Sequence, residues 1–400
     1  MEDRFPDWKE VPSYNNNLYF KWVFFSRFIK FEQLGYSQKQ IVNHFEFHQE
    51  ITNKDNLFKN LFNYCESKKL CVYDFVPLTF ALDVNEKSFN SDVEKFCKCF
   101  NYMKTEMTKN SPELVNNINK NLWKYYTSND RRMITYCRPK IYLTHLSNRN
   151  LWLLKPTGFN RGRGVIVFED LEQLKKYIKE YSEGVEERIP NLKNVEEKIQ
   201  DGAEQEMSKN KVVGIIKSNT FVIQKYIEKP LLIENRKFDI RTWVLVNHEM
   251  KVFLFKEGYL RTSSQEYSMT SDSISNRSIH LTNNAVQKYC TGYGNFEEGN
   301  QISFNRFQEY LEKKYSYRNI NVRKNLYTQM KELVEISMQS VRKKINPNDR
   351  HYCFEIFGYD FIIDSDFKVW LIEINTNPCL EESSNILKML LPRMISSLNR

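Results

Sequence analysis

The sequence predicts an α+β protein, and three observations predict it. In residues 15–150 apolar positions recur at three- and four-residue spacing, around Trp22, Phe25, Phe28 and Ile29 and again around Leu57, Leu61 and Phe62, as in helices with one buried face. From Leu151 onward, short β-branched and aromatic runs bounded by turn residues take over. The stretch from Tyr359 to Ile374 reads as a hairpin turning at Asp364-Ser365-Asp366-Phe367. At the usual ~100–200 residues per domain, 400 residues with 41% hydrophobic content imply two to four units with real cores.

In chain order, His44 and His48 lie four residues apart, and no glutamate follows the first as in the zinc-protease motif. They are expected on a plain helix. Leu151-Trp152-Leu153-Leu154-Lys155-Pro156, then Arg161-Gly162-Arg163-Gly164, then Val165-Ile166-Val167-Phe168 reads as strand, glycine-rich loop, strand. Glu180 to Lys211 holds nine acidic and five basic residues with one aromatic, Tyr181, so it is expected to be a solvated loop or frayed helix inserted within a domain. Strands are expected at Thr220–Ile227, Lys237–Val246 and Lys251–Phe255, and amphipathic helix over 304–345. The eight cysteines are scattered without a Cys-x-x-Cys pair and read as reduced thiols.

The first residues lack a secretory pattern, and no run approaches the ~18 apolar residues of a membrane span, so a cytoplasmic protein is expected. The formal charge of +9 favours an acidic partner. Charge alone fits nucleic acid equally well, but no nucleic-acid-binding motif is present.

Three constellations carry chemistry. Glu373 and Asn375 share a strand face, and closing the hairpin sets Asp360 opposite Glu373 to within about a residue. Ionised acids inside a run of isoleucine, leucine and tryptophan need a cation, and an all-oxygen set suits magnesium. Lys155, Arg161 and Arg163 flank a loop whose backbone N–H groups can approach phosphates, although it is neither the phosphate loop nor the dinucleotide fingerprint. Lys237, Asp239 and Arg241 share one strand face while Phe238 and Ile240 take the other, which sets a forked cation beside an acid.

Together these segments resemble the tubulin–tyrosine ligase-like family. The matches run in order through Trp152–Pro156, Arg161–Gly164, Ile223–Ile233, Arg236–Arg241, Leu260–Ser264, His280–Asn283, Phe357–Phe361 and Leu371–Asn375. The resemblance implies an ATP-grasp-like core in two subdomains, 146–230 with the insertion 180–211 and 231–400, behind a helix-rich region 1–145 that carries no matched motif. It implies ATP and Mg2+ as cofactors. Lys155 and the Arg161-Gly162-Arg163-Gly164 loop would hold the phosphates, the backbone around Lys225, Tyr226 and Ile227 would meet adenine in a hinge with Gln224 beside it, and Asp360, Glu373 and Asn375 would hold the metal. Lys237, Asp239, Arg241, Arg261 and Asn283 would line the site where carboxylate and amine meet.

The implied reaction is a ligation in which ATP activates a carboxylate as an acyl phosphate and an amino acid's amine displaces the phosphate. The implied partners are a free amino acid and the acidic C-terminal tails of tubulin, on the cytoskeleton and in the cilium or axoneme. Asn283-Asn284-Ala285-Val286-Gln287 resembles members that add glycine, whereas Arg236–Arg241, Arg261–Ser264 and Tyr293–Asn300 resemble tyrosine ligase itself. Members that add glutamate more often carry an aromatic where Asn284 stands. Glycine is therefore expected first and glutamate next, with tyrosine addition or a catalytically silent microtubule-binding relative as alternatives.

Overall fold

The computed structural model describes residues 9–12, 18–34, 40–126, 136–147, 149–189 and 211–397. Fourteen strands occur among these residues: β1 Phe20–Lys21, β2 Ile41–Val42, β3 Thr79–Asp83, β4 Trp152–Pro156, β5 Ile166–Phe168, β6 Val185–Ile189, β7 Lys211–Ile216, β8 Thr220–Lys225, β9 Leu232–Ile233, β10 Arg236–Asn247, β11 Val252–Glu266, β12 Gln301–Ser303, β13 Phe354–Ile363 and β14 Val369–Thr376. Helix and sheet are mixed throughout, as expected for an α+β chain.

Two antiparallel sheets dominate. The smaller runs β3-β8-β4-β5, so a strand from residues 79–83 joins the sheet built by residues 152–225. The larger runs β12-β11-β10-β13-β14, with β9 paired to β10. Along β10, Phe238, Ile240, Val244 and Val246 pack into the main core, where Phe238 meets Phe307 of the Phe304–Lys314 helix. That helix starts where the Ser303 side chain accepts from the Arg306 N–H, and its last turn carries Lys313 and Lys314, favourable at the negative end of the helix dipole. The opposite face is split. At one end Trp243, Tyr259 and Ile356 pack against Leu387, Leu390, Leu391 and Met394 of the Asn385–Ser397 helix. At the other end it carries charges, described below.

The Lys54–Ser67 helix buries Leu57, Leu61 and Cys65 at four-residue spacing. Trp22 to Ile29 departs from the expected helix: only Ser26–Phe28 form a single 3-10 turn, and Trp22, Phe24, Phe25 and Phe28 are exposed. Nor do the two histidines share a helix. His44 lies before the short Gln49–Thr52 helix, and His48 is its N-cap. In the charged stretch, residues 180–183 end the Leu171–Glu183 helix and β6 pairs with β7, so these residues are regular rather than an irregular loop. The rest of that stretch, 190–210, lies outside the described residues. Among the described residues no helix is long and apolar enough to cross a membrane.

Glu355 on β13 ties the early chain to the larger sheet. Its carboxylate accepts from His44 Nδ1 at 2.9 Å, the Phe45 N–H at 2.9 Å and Thr376 Oγ1 at 2.5 Å. His44 Nε2 meets the Val23 carbonyl at 2.9 Å, and Asn43 bonds both the N–H and the carbonyl of Val23. His44, His48 and Glu355 have ligand-type atoms within 4.8 Å of one another. Both His44 nitrogens already face acceptors, however, which makes the cluster a hydrogen-bond hub around a doubly protonated ring. Burial lowers the His44 pKa, but the hydrogen bond and charge of Glu355, with the Val23 carbonyl, outweigh it and raise the value above 6.5. A raised histidine pKa stabilises the fold fully below about pH 6.5, and that contribution is lost as pH rises through the folded value. Glu355→Gln should therefore cost about 3 kcal/mol at pH 6, with a smaller cost at pH 9. Urea unfolding of both proteins at the two pH values measures the difference.

Candidate active site

The charged end of the larger sheet is set by strand register. Arg241 lies opposite Asp360 across β10 and β13, and Asp239 lies opposite Arg261 across β10 and β11. Arg241 donates to Asp360 through Nε at 2.5 Å and Nη2 at 3.0 Å. Arg261 donates to Asp239 through Nε and Nη2, both at 2.6 Å, and its Nη2 also lies 2.8 Å from Asp360 Oδ2. Thr282 adds a hydroxyl to Asp239 at 2.6 Å. Gly358 makes room for this: a Cβ there would lie 3.3 Å from the Arg241 guanidinium and 3.1 Å from Pro378. Burial works against the Asp360 charge, but Arg241 and Arg261 hold its pKa well below the ordinary carboxylate range. The Arg241 fork is thus already engaged by a protein carboxylate.

Asp360 and Glu373 lie opposite each other across β13 and β14, with a bulge immediately after Asp360. Asn375 donates to Asp360 Oδ2 at 3.2 Å and to Glu373 Oε1 at 3.1 Å, so the two acids and the amide converge. Turning the Asn375 amide over would present its oxygen to the same point. Such a set of hard oxygen donors fits a magnesium ion, which takes one or two carboxylates.

Beside it lies a narrow recess, walled by Leu57, Phe58, Leu61, Val76, Val222 and Ile372 and bounded by Lys54, Thr79, Lys155 and Gln224. Lys155 donates to Gln224 Oε1 at 2.6 Å, and Gln224 donates on to Thr79 Oγ1 at 3.0 Å. Burial, reinforced by Lys54 and opposed by Glu373, brings the Lys155 pKa down to about 8. Lys54 donates to the Phe159 carbonyl at 2.6 Å and stands 3.8 Å from Glu373 Oε2. Its place in the site was not legible beforehand. The one local trace is a lysine in the first turn of a helix, the wrong end of the dipole for a cation.

The glycine loop joins β4 to β5, with Gly162 and Gly164 at φ +74° and +66°. Gly162 packs directly on Asn283: a Cβ would come within 2.8 Å of Asn283 Oδ1, and the Gly162 carbonyl accepts from Arg277 at 2.9 Å. Loop and Asn283 are therefore neighbours, whereas Arg161 is exposed and the Arg163 guanidinium stacks 5.1 Å over the Phe159 ring. Of residues 224–227, Gln224 alone lines the recess. Lys225 Nζ is fully buried against Glu228 at 2.6 Å and the Leu151 carbonyl at 2.7 Å, a tie between β8 and the chain before β4. The Lys225 and Tyr226 N–H groups bond the Leu78 and Leu151 carbonyls, and the side chain of Ile227 is buried. The Tyr226 hydroxyl reaches Lys237, whose Nζ lies 3.0 Å from it and 2.9 Å from the His280 carbonyl.

The residues that look most like tyrosine ligase bind one another. Arg236 forms a two-point pair with Glu297 at 2.8 and 2.7 Å, with Thr262 bonded to the same carboxylate. Asn300 donates to the Thr262 carbonyl and Ser264 Oγ, and Gln287, from the segment that resembles glycine-adding members, accepts from Ser264. These residues are buried and hold architecture, so their likeness says little about the amino acid added.

Residues 32–399 match the family model described as the Tubulin-tyrosine ligase family. The chain is 34% identical to Tubulin glycylase 3B of Tetrahymena thermophila over 63% of its own length and 18% of that protein. It is 27% identical to Probable alpha-tubulin polyglutamylase Ttll1 of the same organism over 90% of its length and 70% of that protein. It is 34% identical to Probable tubulin polyglutamylase TTLL9 of Mus musculus over 58% of its length and 49% of that protein. The chain thus spans less than a fifth of the glycylase and about half of the mouse protein. A family match over nearly the whole length, on the strands that build this charged site, means that the chain belongs to the tubulin-tyrosine ligase family.

Proposed function

We propose that the protein is an ATP-dependent, magnesium-requiring ligase that adds glycine, or next glutamate, to glutamate side chains in the acidic C-terminal tails of tubulin. The observation that carries this reading is the convergence of Asp360, Glu373 and Asn375 beside a recess bounded by Lys54 and Lys155. The glycylase and polyglutamylase names of its relatives support amino-acid addition to tubulin. The charge of +9 suits an acidic tail and a place on the cytoskeleton. In this reading the two sheets are the halves of an ATP-grasp core, built from residues 146–230, joined by β3 from outside that range, and from 231–400.

With ATP and magnesium bound, the chemistry supplied is conversion of a carboxylate oxygen, a poor leaving group, to an acyl phosphate with release of ADP, from which an amine can displace phosphate. The chain's own residues prepare for it. The nucleotide would lie along the edge of this recess, where Lys54 and Lys155 would meet its phosphates beside the glycine loop. Asp360, Glu373 and Asn375 hold the metal. Arg241 and Arg261, kept charged by Asp360 and Asp239, offer positive charge to the oxyanion that develops as the amide bond forms. Lys237 and Asn283 stand at the same end of the site and orient the acceptor.

Glu373→Gln should keep the fold and reduce amino-acid incorporation to below about a tenth, because the metal's charge stabilisation amounts to several kcal/mol. Mass spectrometry of tubulin tails after incubation with ATP and mixed amino acids measures this and identifies the residue added. Incorporation of tyrosine, or of nothing by the unaltered protein, would reject the reading. Lys54→Met should weaken ATP binding about tenfold, the loss of one charge-assisted contact, with an unchanged melting temperature. Titration of ATP and magnesium onto the purified chain tests it.

A further inference from the structure

We propose that Tyr226 and His280 are positioning residues that act through Lys237, with His280 fixing the Tyr226 hydroxyl as a hydrogen-bond acceptor for the Lys237 ammonium. The proposal rests on the reading above in placing Lys237 at the reacting groups, but the hydrogen-bond chain itself does not depend on that reading.

The chain has a forced direction. His280 Nε2 lies 3.0 Å from the Ser273 carbonyl, which can only accept, so Nε2 carries a hydrogen. Burial, helped by the positive charge of Lys237, brings the His280 pKa down to about 4. The ring is therefore neutral, and Nδ1 offers a lone pair. The Tyr226 hydroxyl, 2.8 Å away, donates to it, while the neighbouring Tyr267 hydroxyl donates to the Glu228 carbonyl at 2.9 Å. The Tyr226 oxygen then has only lone pairs left for Lys237 Nζ at 3.0 Å. Residue 280 grips the lysine a second time through its carbonyl, 2.9 Å from Nζ. Tyr226, Lys237, Ser273 and His280 are all buried, and Nζ also sits 4.4 Å from the Tyr226 ring centre, a cation–π contact.

This arrangement answers a need. Lys237 is buried on β10 among charges of both signs: burial, opposed by Asp239 and reinforced by Lys155, brings its pKa down to about 7. A four-carbon stem in such a place has several rotamers, and an ammonium that loses its partners there loses its charge as well. A phenol locked as an acceptor both stabilises the charged form and fixes its position. Two of the three N–H groups are taken by Tyr226 and His280, leaving one to meet a ligand.

Two substitutions at one position separate positioning from packing. His280→Asn places an amide oxygen near the position of Nδ1 but cannot reach Ser273, whereas His280→Gln reaches toward Ser273 and leaves Tyr226 without its acceptor. A packing role predicts that Gln is the milder change. Positioning predicts the reverse: kcat within about threefold of the unaltered enzyme for Asn, and down at least tenfold for Gln and for Tyr226→Phe, the loss of a hydrogen bond to a charged group. KM for ATP should move by less than about threefold in all three, and melting temperatures serve as the folding control. The second readout needs no tubulin. In protein carrying 13C-lysine, with the Lys237 signal assigned by its loss in Lys237→Arg, the Lys237 titration should shift to lower pH in Tyr226→Phe and His280→Gln and stay in place in His280→Asn. A Lys237 titration unmoved by Tyr226→Phe, or Gln retaining more kcat than Asn, would overturn the proposal. Absence of ligation by the unaltered enzyme would reject the functional reading instead, and the lysine titration would still decide this one.

Discussion

The carboxylate of Asp360 sits buried between two guanidinium groups, and strand register makes that possible. Arg241 faces it from β10 and Arg261 reaches it from β11, while Arg261 is held by Asp239 on β10. Slipping β10 by one residue would drive Lys237, Asp239 and Arg241 into the core now filled by Phe238 and Ile240. The ionic lattice and the apolar face therefore enforce the same alignment. A buried ion pair adds little net stability, since desolvation offsets its attraction, but it penalises every other register. The position of Glu373 follows, because β14 takes its alignment from β13.

The cations around this lattice fall into two kinds. Arg241 and Arg261 keep their charge despite burial because acids face them at hydrogen-bond distance. Lys155 and Lys237 have no such acid in contact, and their pKa values fall to about 8 and about 7. One site therefore holds permanent positive charge beside positive charge that a neighbouring anion can raise or remove. A phosphate or carboxylate arriving at those lysines strengthens its own binding by favouring their protonated form.

What could be read from the sequence was what depends on local period. Alternation along β10 sorted its charges from its core residues, and the turn at Asp364–Phe367 set Asp360 against Glu373, because both follow from the two-residue repeat of a strand. Lys54 and Thr79 come to the site from elements with no chemical signature, through packing that no short window contains. The spacing of Trp22, Phe25 and Phe28 imitated a helix but counted side chains that stay exposed, while Asn43 and His44 hold the backbone at Val23. His44 was misplaced for a related reason: its partner Glu355 lies on a strand more than three hundred residues away. Family resemblance marked Arg236, Glu297 and Asn300 without distinguishing a residue that touches ligand from one that holds the scaffold.

The Glu355 hub bears on how the chain is made. His44 and Phe45 reach a carboxylate 311 and 310 residues later, and Thr376 completes the same cluster. During synthesis at roughly 5–20 residues per second, the early segment spends tens of seconds without the strand that anchors it. Its hydrophobic side chains, including Phe45 and Ile51, stay without their final partners for that interval. Docking must wait for β13 and β14, the slow non-local step that a high contact order imposes. Until those strands emerge from the ribosome, His44 and the Phe45 N–H lack the carboxylate that they share in the folded protein.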